Sequence, residues 1–289
     1  SFTVVDPTDL PDTDLADNLC LSSAGTCTLR AAIQQANATD APFTLITVLK
    51  GDYQLTIPAG VSEPGCTADT CMIAEENEAA IGDLDIHCAM CIQGQSRDYV
   101  TIRGGGDVGR IFDVHSDAGS QVFIRDLTVS DGYAPAFSGI DPLTSNFGLP
   151  SSVAMDGCGS GQADCSGGAI RNNQGPQDLY LQQVVLSKNA SDGNGNAVFN
   201  GGDMVISGSI VQENRDQLGH GGGVYNVGTL KVEYSTFDAN QTDSSGGGIT
   251  TSGGTVEILN STFHQNESSW AGSALSISNG GNMNVLFST

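Results

Sequence analysis

A repeat of 25 to 26 residues fills about the last hundred residues of this 289-residue chain. A repeat of that period constrains the fold more than any single motif does. Within each unit apolar residues alternate with polar ones, as at Leu179 and Leu181, and a period of two is typical of β-strands. Glycine clusters such as Gly167-Gly168 separate the strands and permit bends that other residues resist. Each unit closes with an asparagine, and the four are Asn189, Asn214, Asn240 and Asn266.

Units of about three short strands, without a helix, can bury their apolar faces only by stacking on copies of themselves. The repeat therefore predicts an all-β, single-domain, right-handed parallel β-helix, in which one passage of the chain around the helix is a coil. Equivalent residues of successive coils then lie about 4.8 Å apart. The four asparagines should form a ladder of hydrogen-bonded amides, and Phe237 should lie between Val211 and Phe263.

Residues 28–37 form the one convincing helix of the sequence. Thr28 is suited to the N-cap, and Asn37 is suited to close the C-terminus. We expect this amphipathic helix to cap the first coil, whose strand edges and core side chains would otherwise be exposed. Its apolar face consists of Leu29, Ala32, Ile33 and Ala36.

Changes in pattern divide the single domain into four segments. Residues 1–45 hold an N-terminal strand and the capping helix, and residues 46–131 hold the first coils with a cysteine-containing insertion. Residues 132–166 break the repeat and should protrude, and residues 167–289 form the regular coils. Protruding loops often carry recognition, and this one has apolar contact potential from Tyr133, Phe137, Phe147 and Met155.

The charge balance argues against two classes of partner. The chain has 33 acidic and 10 basic residues, a net charge of −23, which repels nucleic acid and anionic membrane surfaces. The sequence has no apolar stretch long enough to span a bilayer. It starts abruptly at Ser1, as a processed protein would, so we expect an extracellular or cell-surface location.

Eight cysteines fall in four close pairs, which indicates disulfides formed in an oxidising compartment. The central four also allow a nested arrangement, Cys66 with Cys91 around Cys71 with Cys88. A zinc site with His87 adjacent is a further alternative, because these four can supply four thiolates. The four close pairs are Cys20 and Cys27, Cys66 and Cys71, Cys88 and Cys91, and Cys158 and Cys165.

Several segments resemble known secreted proteins. Residues 27–37 and 46–55 resemble the CSLREA segment of large secreted bacterial β-helix proteins, although Ala31 replaces its acidic residue. The glycine clusters and the Phe-x-x-Asn units, such as Phe237 to Asn240, resemble the repeats of chlamydial polymorphic outer-membrane proteins, which are adhesin passengers. The resemblance implies a secreted or cell-surface structural or adhesive module without catalysis. Its partner would be a carbohydrate or a cell-surface protein.

The wider superfamily that this resemblance implies includes pectate lyases and polygalacturonases. The alternative function is therefore a polysaccharide lyase or glycoside hydrolase acting on an acidic polysaccharide. Gly219-His220-Gly221 is similar to a polygalacturonase motif, but its partner motifs are absent from the sequence, so His220 is expected to be a turn residue. Asp238 and His264 occupy equivalent positions in successive units, where they form either a solvated polar ladder or an acid–base pair.

An acidic cluster offers hard oxygen ligands that suit calcium, although no EF-hand spacing accompanies it. Its members are Glu75, Glu76, Glu78, Asp83 and Asp85.

The repeat stops in mid-unit at the carboxyl end, after Met283 and Val285. Either the chain is a fragment or it assembles head to tail on other copies, and the fragment is the preferred interpretation because the helix at 28–37 should block stacking at the other end.

Overall fold

The computed structural model describes residues 1–39, 41–58, 79, 82–105, 108–115, 121–134, 165–175, 178–216 and 219–289. In these residues every pairing between named strands is parallel, and the strands form three long sheets and two short ones. From residue 84 onward the chain runs through the three long sheets in the same repeating order, and each circuit is one coil. From Ile170 onward, successive strands of one long sheet begin 25 to 28 residues apart, close to the period that the sequence predicted.

Sheet 1 contains five-residue strands through most of its length, and its outward side chains alternate with buried ones. Its order is β1 (Phe2–Val4), β2 (Thr44–Val48), β5 (Met90–Gly94), β8 (Gln121–Arg125), β12 (Asp178–Gln182), β16 (Asp203–Ser207), β20 (Thr229–Glu233), β24 (Thr255–Leu259) and β28 (Asn282–Leu286).

Sheets 2 and 3 each contain seven shorter strands. Sheet 2 consists of β4 (Leu84–Ile86), β7 (Phe112–Val114), β11 (Ile170–Asn172), β15 (Val198–Asn200), β19 (Val224–Asn226), β23 (Ile249–Ser252) and β27 (Leu275–Ser278). Sheet 3 consists of β3 (Gly51–Gln54), β6 (Val100–Arg103), β9 (Thr128–Ser130), β13 (Val185–Ser187), β17 (Ile210–Gln212), β21 (Thr236–Asp238) and β25 (Thr262–His264). One short sheet consists of β10 (Tyr133–Ala134) and β14 (Ala190–Ser191). The other consists of β18 (Arg215–Asp216), β22 (Gln241–Thr242) and β26 (Glu267–Ser268).

The predicted columns are confirmed by the strand register. Leu181 pairs with Ile206 and Ile206 with Val232, so equivalent apolar residues lie above one another in the core. Phe237 is fully buried, and its neighbours across sheet 3 are Val211 and Phe263. The Phe237 and Phe263 rings stack with centroids 4.9 Å apart.

The predicted amide ladder is also confirmed. Asn189 donates to the Oδ1 of Asn214 at 3.0 Å, and the next two rungs, Asn214 to Asn240 and Asn240 to Asn266, both measure 2.9 Å. Each Oδ1 accepts a backbone N–H from the preceding coil as well. The buried turn groups are therefore satisfied by side chains rather than left unpaired.

The glycine clusters hold a backbone conformation that L-residues resist. One glycine three residues before each regular strand of sheet 2 has a positive φ, close to 74° at Gly195 and Gly221. A Cβ on Gly195 would lie 2.0 Å from the carbonyl oxygen of Val198, a contact that real Cβ atoms do not make. Glycine is thus required at the bend by both backbone conformation and space.

The capping helix α1 (Leu29–Ala38) begins as predicted, with the Thr28 hydroxyl accepting a hydrogen bond from the Ala31 N–H. Asn37 does not end the helix as expected, because Thr39 is the C-cap. The Asn37 side chain instead reaches the backbone of β4 and the residue after it, accepting from the His87 N–H and donating to the Asp85 carbonyl.

The disulfide between Cys20 and Cys27 is confirmed. Cys165 is also disulfide-bonded, while its predicted partner Cys158 lies outside the described residues, as do Cys66 and Cys71. Cys88 and Cys91 are free thiols, so the prediction that all eight cysteines are oxidised is wrong for these two.

The two thiols are free because their side chains point in different directions. The Cys88 thiol donates to the Ala36 carbonyl of the capping helix, whereas Cys91 lies in the outward column of sheet 1, paired with Leu45 and Phe123. Burial raises the pKa of the Cys88 thiol to about 11, which keeps it protonated and unreactive.

Residues 135–164, most of the predicted protruding segment, lie outside the described residues. Within the described residues, the structure contains no helix with the length and apolar character that crossing a bilayer requires.

Candidate functional site

Charged side chains converge on the outward face of sheet 2 in the first coils. Strand register places Asp85, Asp113 and Arg171 in one column, while residues on either side of each point into the core. Asp85 and Asp113 have no exposed surface, and Arg171 is 2% exposed. This group, the charged cluster, consists of Asp83, Asp85, His87, Arg110, Asp113, His115, Arg171 and Asn173.

A repeated motif builds the centre of the charged cluster. Leu84-Asp85-Ile86-His87 and Phe112-Asp113-Val114-His115 have the same order of an apolar residue, aspartate, an apolar residue and histidine. Because β4 and β7 pair in register, the two aspartates are neighbours and the two imidazoles stack with centroids 4.1 Å apart. The duplicated Asp-x-His was the signal in the sequence that could have located this site, and the sequence analysis missed it.

Asp113 is held by cationic and amide donors. Arg171 approaches with both Nε and an Nη, the Nε bond measuring 3.0 Å, and Asn173 donates at 2.7 Å. Arg110 lies 3.5 Å from Asp113 and 3.3 Å from Asp83, so its guanidinium bridges the two carboxylates. Such bidentate arginine contacts are the usual way to hold a buried carboxylate.

Asp85 has different partners. One oxygen accepts the Ala79 N–H at 3.0 Å, and the other lies 2.8 Å from the Nε2 of His115. Among the described residues, the hydrogen-bond partners of the Asp85 carboxylate therefore include no guanidinium.

The electrostatics of the cluster reflect its burial. Desolvation raises the pKa of Asp113 to about 7 and the pKa of Asp83 to about 6, while the nearby Arg110 opposes both changes. Desolvation also lowers the pKa of Arg171 to about 9. Both effects disfavour charge inside the protein, because these ionisable side chains are removed from water.

Two sets of side chains in the cluster have the spacing of metal ligands. The ligand atoms of Asp85, His87 and His115 lie within 4.8 Å of one another, and so do those of Asp83, Asp85 and Asp113. The second set contains two of the predicted calcium ligands, Asp83 and Asp85. The other three, Glu75, Glu76 and Glu78, lie outside the described residues.

The outward face of sheet 1 carries a second feature, the aromatic strip, which consists of Phe43, Phe123 and Tyr180. Phe123 and Tyr180 stack with centroids 4.7 Å apart, and Phe43 meets Phe123 edge to face at 6.3 Å. Phe43 is 46% exposed. Polar groups border the strip, since Gln121 donates to the Tyr180 hydroxyl at 3.5 Å and Arg125 donates to Gln93 at 2.8 Å.

The residues that the sequence singled out for catalysis lie elsewhere. His220 is in a glycine bend, and its Nδ1 is 2.7 Å from the Ser244 hydroxyl. Burial lowers the pKa of His220. Asp238 and His264 pair across β21 and β25 at 2.8 Å, on the exposed face of sheet 3. None of these three is part of the charged cluster.

Comparisons with protein families, with curated proteins and with solved structures found no match for this chain. The resemblance to CSLREA-type and chlamydial proteins therefore stays a prediction. What the described residues do have is the coarser feature that it implied, a mostly β fold with long all-parallel sheets.

Proposed function

We propose that the protein is a secreted or cell-surface structural and adhesive module, built as a right-handed parallel β-helix, that binds a partner and does not catalyse a reaction. The cyclic order of the three parallel sheets supports the β-helix. Parallel strands joined by a crossover in one sheet are right-handed in about 98% of cases, which supports the handedness. The Cys20–Cys27 disulfide favours an oxidising, extracellular setting.

The observation that argues most strongly against catalysis is that the carboxylates, imidazoles and guanidinium groups of the charged cluster converge where the central aspartates are buried. Asp85 and Asp113 have no exposed surface, and a polysaccharide must contact its catalytic carboxylates directly. In the regular coils, by contrast, exposed ion pairs occur at the surface, such as Lys231 with Glu233. A depression beside Asn266 has one carboxylate in its lining, that of Glu267, and no imidazole or cation.

The aromatic strip is the binding face that we propose. Aromatic residues and arginine are the residue types that dominate the energetic centres of protein interfaces, and Phe43, Phe123, Tyr180 and Arg125 lie together on the outward face of sheet 1. Phe123 and Tyr180 cover one face of each other, and Phe43 lies against Phe123. Sugar recognition uses open ring faces, so this packing favours a protein partner over a carbohydrate.

The test is a binding measurement with a matched pair of variants. Labelled protein is applied to a panel of purified extracellular-matrix proteins and to an array of immobilised glycans. We expect binding to at least one protein, weakened at least tenfold by the double substitution of Phe123→Ser and Tyr180→Ser. The substitutions Val205→Ser and Lys231→Ser, in the same outward column of sheet 1, are the control and should leave binding unchanged. Binding to glycans alone, or to nothing, would contradict the proposal.

The second candidate function is a polysaccharide-active enzyme. What favours it is the convergence of Asp85, Asp113, His115 and Arg171 on one sheet face, and what opposes it is their burial. Incubation with uronate-containing polysaccharides, followed by detection of shortened or unsaturated products, decides between the two. Turnover that is lost in Asp113→Asn and retained in the Phe123→Ser and Tyr180→Ser variant would establish the enzyme and overturn the proposal above.

A further inference from the structure

We propose that Asp85, His87 and His115 form a binding site for one divalent transition-metal ion of the zinc type. The inference concerns the charged cluster and is independent of the aromatic strip, so it goes beyond the adhesive function. It rests on the geometry of the three ligands, on the charge balance around Asp85, and on the way the capping helix holds the ligand strand.

The geometry comes from the duplicated Asp-x-His. Asp85 and His87 are two residues apart along β4 and its extension, so both side chains leave the same face of the sheet. His115 occupies the equivalent place one coil later, and its N–H is bonded to the Ile86 carbonyl, which fixes the register. The three ligand atoms lie within 4.8 Å of one another, and two imidazoles with a carboxylate are a common zinc ligand set.

The distribution of charges identifies Asp85 as the carboxylate that would bind a cation. In the described part of the cluster three carboxylates, Asp83, Asp85 and Asp113, lie with two guanidinium groups, Arg110 and Arg171. The guanidinium groups contact Asp83 and Asp113, whereas the Asp85 carboxylate contacts the Ala79 N–H and the His115 ring. Among the described residues no guanidinium contacts the Asp85 carboxylate, and a metal ion between Asp85 and His115 would bring a permanent positive charge to this buried group.

The ligand strand is held in place before any metal arrives. The Asn37 side chain on the capping helix binds the Asp85 carbonyl at 2.8 Å and the His87 N–H at 3.1 Å. The second oxygen of Asp85 is fixed by the Ala79 N–H. Such outer contacts orient metal ligands and raise affinity, and here they connect the capping helix to the first coil.

The donor set selects the kind of metal. Calcium takes oxygen ligands almost exclusively, so two imidazoles favour zinc, cobalt or nickel. The His87 and His115 rings are stacked with planes 21° apart, and their in-plane lone pairs therefore do not converge. Metal binding requires one ring to rotate, which makes the loss of this stacking a specific consequence of the proposal.

The experiment uses the full chain, treated with a chelator and then titrated with zinc chloride in a calorimeter. We expect one equivalent of Zn²⁺ to bind, and Co²⁺ to give visible absorption bands of a site containing nitrogen and oxygen ligands. Asp85→Asn, His87→Gln and His115→Gln should each weaken zinc binding by at least about tenfold. The other two histidines of the chain are matched controls, and His220→Gln and His264→Gln should leave the affinity unchanged.

Further measurements separate this site from its rivals. The double variant with Cys88→Ser and Cys91→Ser should bind zinc as the parent does, and loss of binding there would assign the metal to thiolates instead. Binding of Ca²⁺ in preference to Zn²⁺ would assign it to Asp83, Asp85 and Asp113. Zinc should also raise the thermal midpoint of the parent and of His220→Gln but not that of His87→Gln. Absence of zinc binding by the parent chain, or binding that survives both His87→Gln and His115→Gln, overturns the proposal.

Discussion

The first three strands of sheet 2 and the next three use the same strand position for different chemistry. The middle residue of the strand is Asp85, Asp113 and Arg171 in the first three strands. It is Phe199, Tyr225 and then Thr250 in the next three. The core residue that precedes it stays apolar throughout, from Leu84 to Ile249. The inward position therefore fixes the fold, while the outward position of the same strand is free to carry a site.

The interior differs between the two regions as well. The third position of the strand is apolar in β4 and β7, at Ile86 and Val114, but in β11, β15 and β19 it carries an amide ladder. Asn172 donates to Asn200 and Asn200 to Asn226, both at 2.7 Å. The regular coils thus rely on neutral hydrogen bonds that repeat from coil to coil, and the first coils rely on packing inside and on ion pairs outside.

The largest effect should come from breaking the charged cluster. Arg171→Leu leaves Asp113 buried without its bidentate partner, and we expect a loss of about 3 to 5 kcal/mol in the free energy of unfolding. Arg103 is the control because its pairs with Asp52 and Asp131 are exposed, and Arg103→Leu should cost less than about 1 kcal/mol. Urea denaturation measures both, and equal costs would mean that the cluster has no special role.

A core change in the regular coils should rank second. Phe237→Ala removes a fully buried ring between Val211 and Phe263, and we expect a loss of about 3 kcal/mol, the lower end for such a change. Phe263→Ala should cost less, since this ring is only half-buried. Urea midpoints in the reverse order would contradict the assignment of the core.

The amide ladder should contribute less than either. Asn214→Ala deprives the backbone N–H and the side chain of Asn189 of their acceptor, and we expect a loss of about 1 to 3 kcal/mol. The exposed Asn284 on sheet 1 is the control, and Asn284→Ala should stay within about 0.5 kcal/mol of the parent. A ladder variant as stable as this control would show that water replaces the lost acceptor.

The smallest effect should be the contribution of His220, in its glycine bend, to the pH dependence of stability. Burial lowers the pKa of His220, so the folded protein favours the neutral ring. The unfolded chain therefore binds more protons below the ordinary pKa of about 6.5, and stability should fall as the pH drops through that value. His220→Gln should remove the part of this loss that comes from the imidazole. Thermal midpoints between pH 7 and pH 5 test it, with His264→Gln as the control for losing one imidazole.

Much of the fold was predictable because periodic signals accumulate over several coils. The columns of sheet 1, the Asn189 to Asn266 ladder and the start of the capping helix each depend on local spacing, and the structure confirms them. A prediction from isolated local features was less secure. The C-terminal role given to Asn37 was wrong, because that side chain is drawn to the backbone of β4, 48 residues away.

The coil period, the inward columns and the bends follow from residue types at fixed, short separations, so the sequence alone is enough to predict them. Which outward residues are buried, and which of them meet, depends on the three-dimensional arrangement of the strands. Asp113 and Arg171 are 58 residues apart, and the sequence repeat is interrupted between their strands, so no repeat predicts their contact. The physical reason is that hydrophobic alternation specifies which side of a strand faces the core, whereas ion pairs and metal ligands depend on which strands become neighbours.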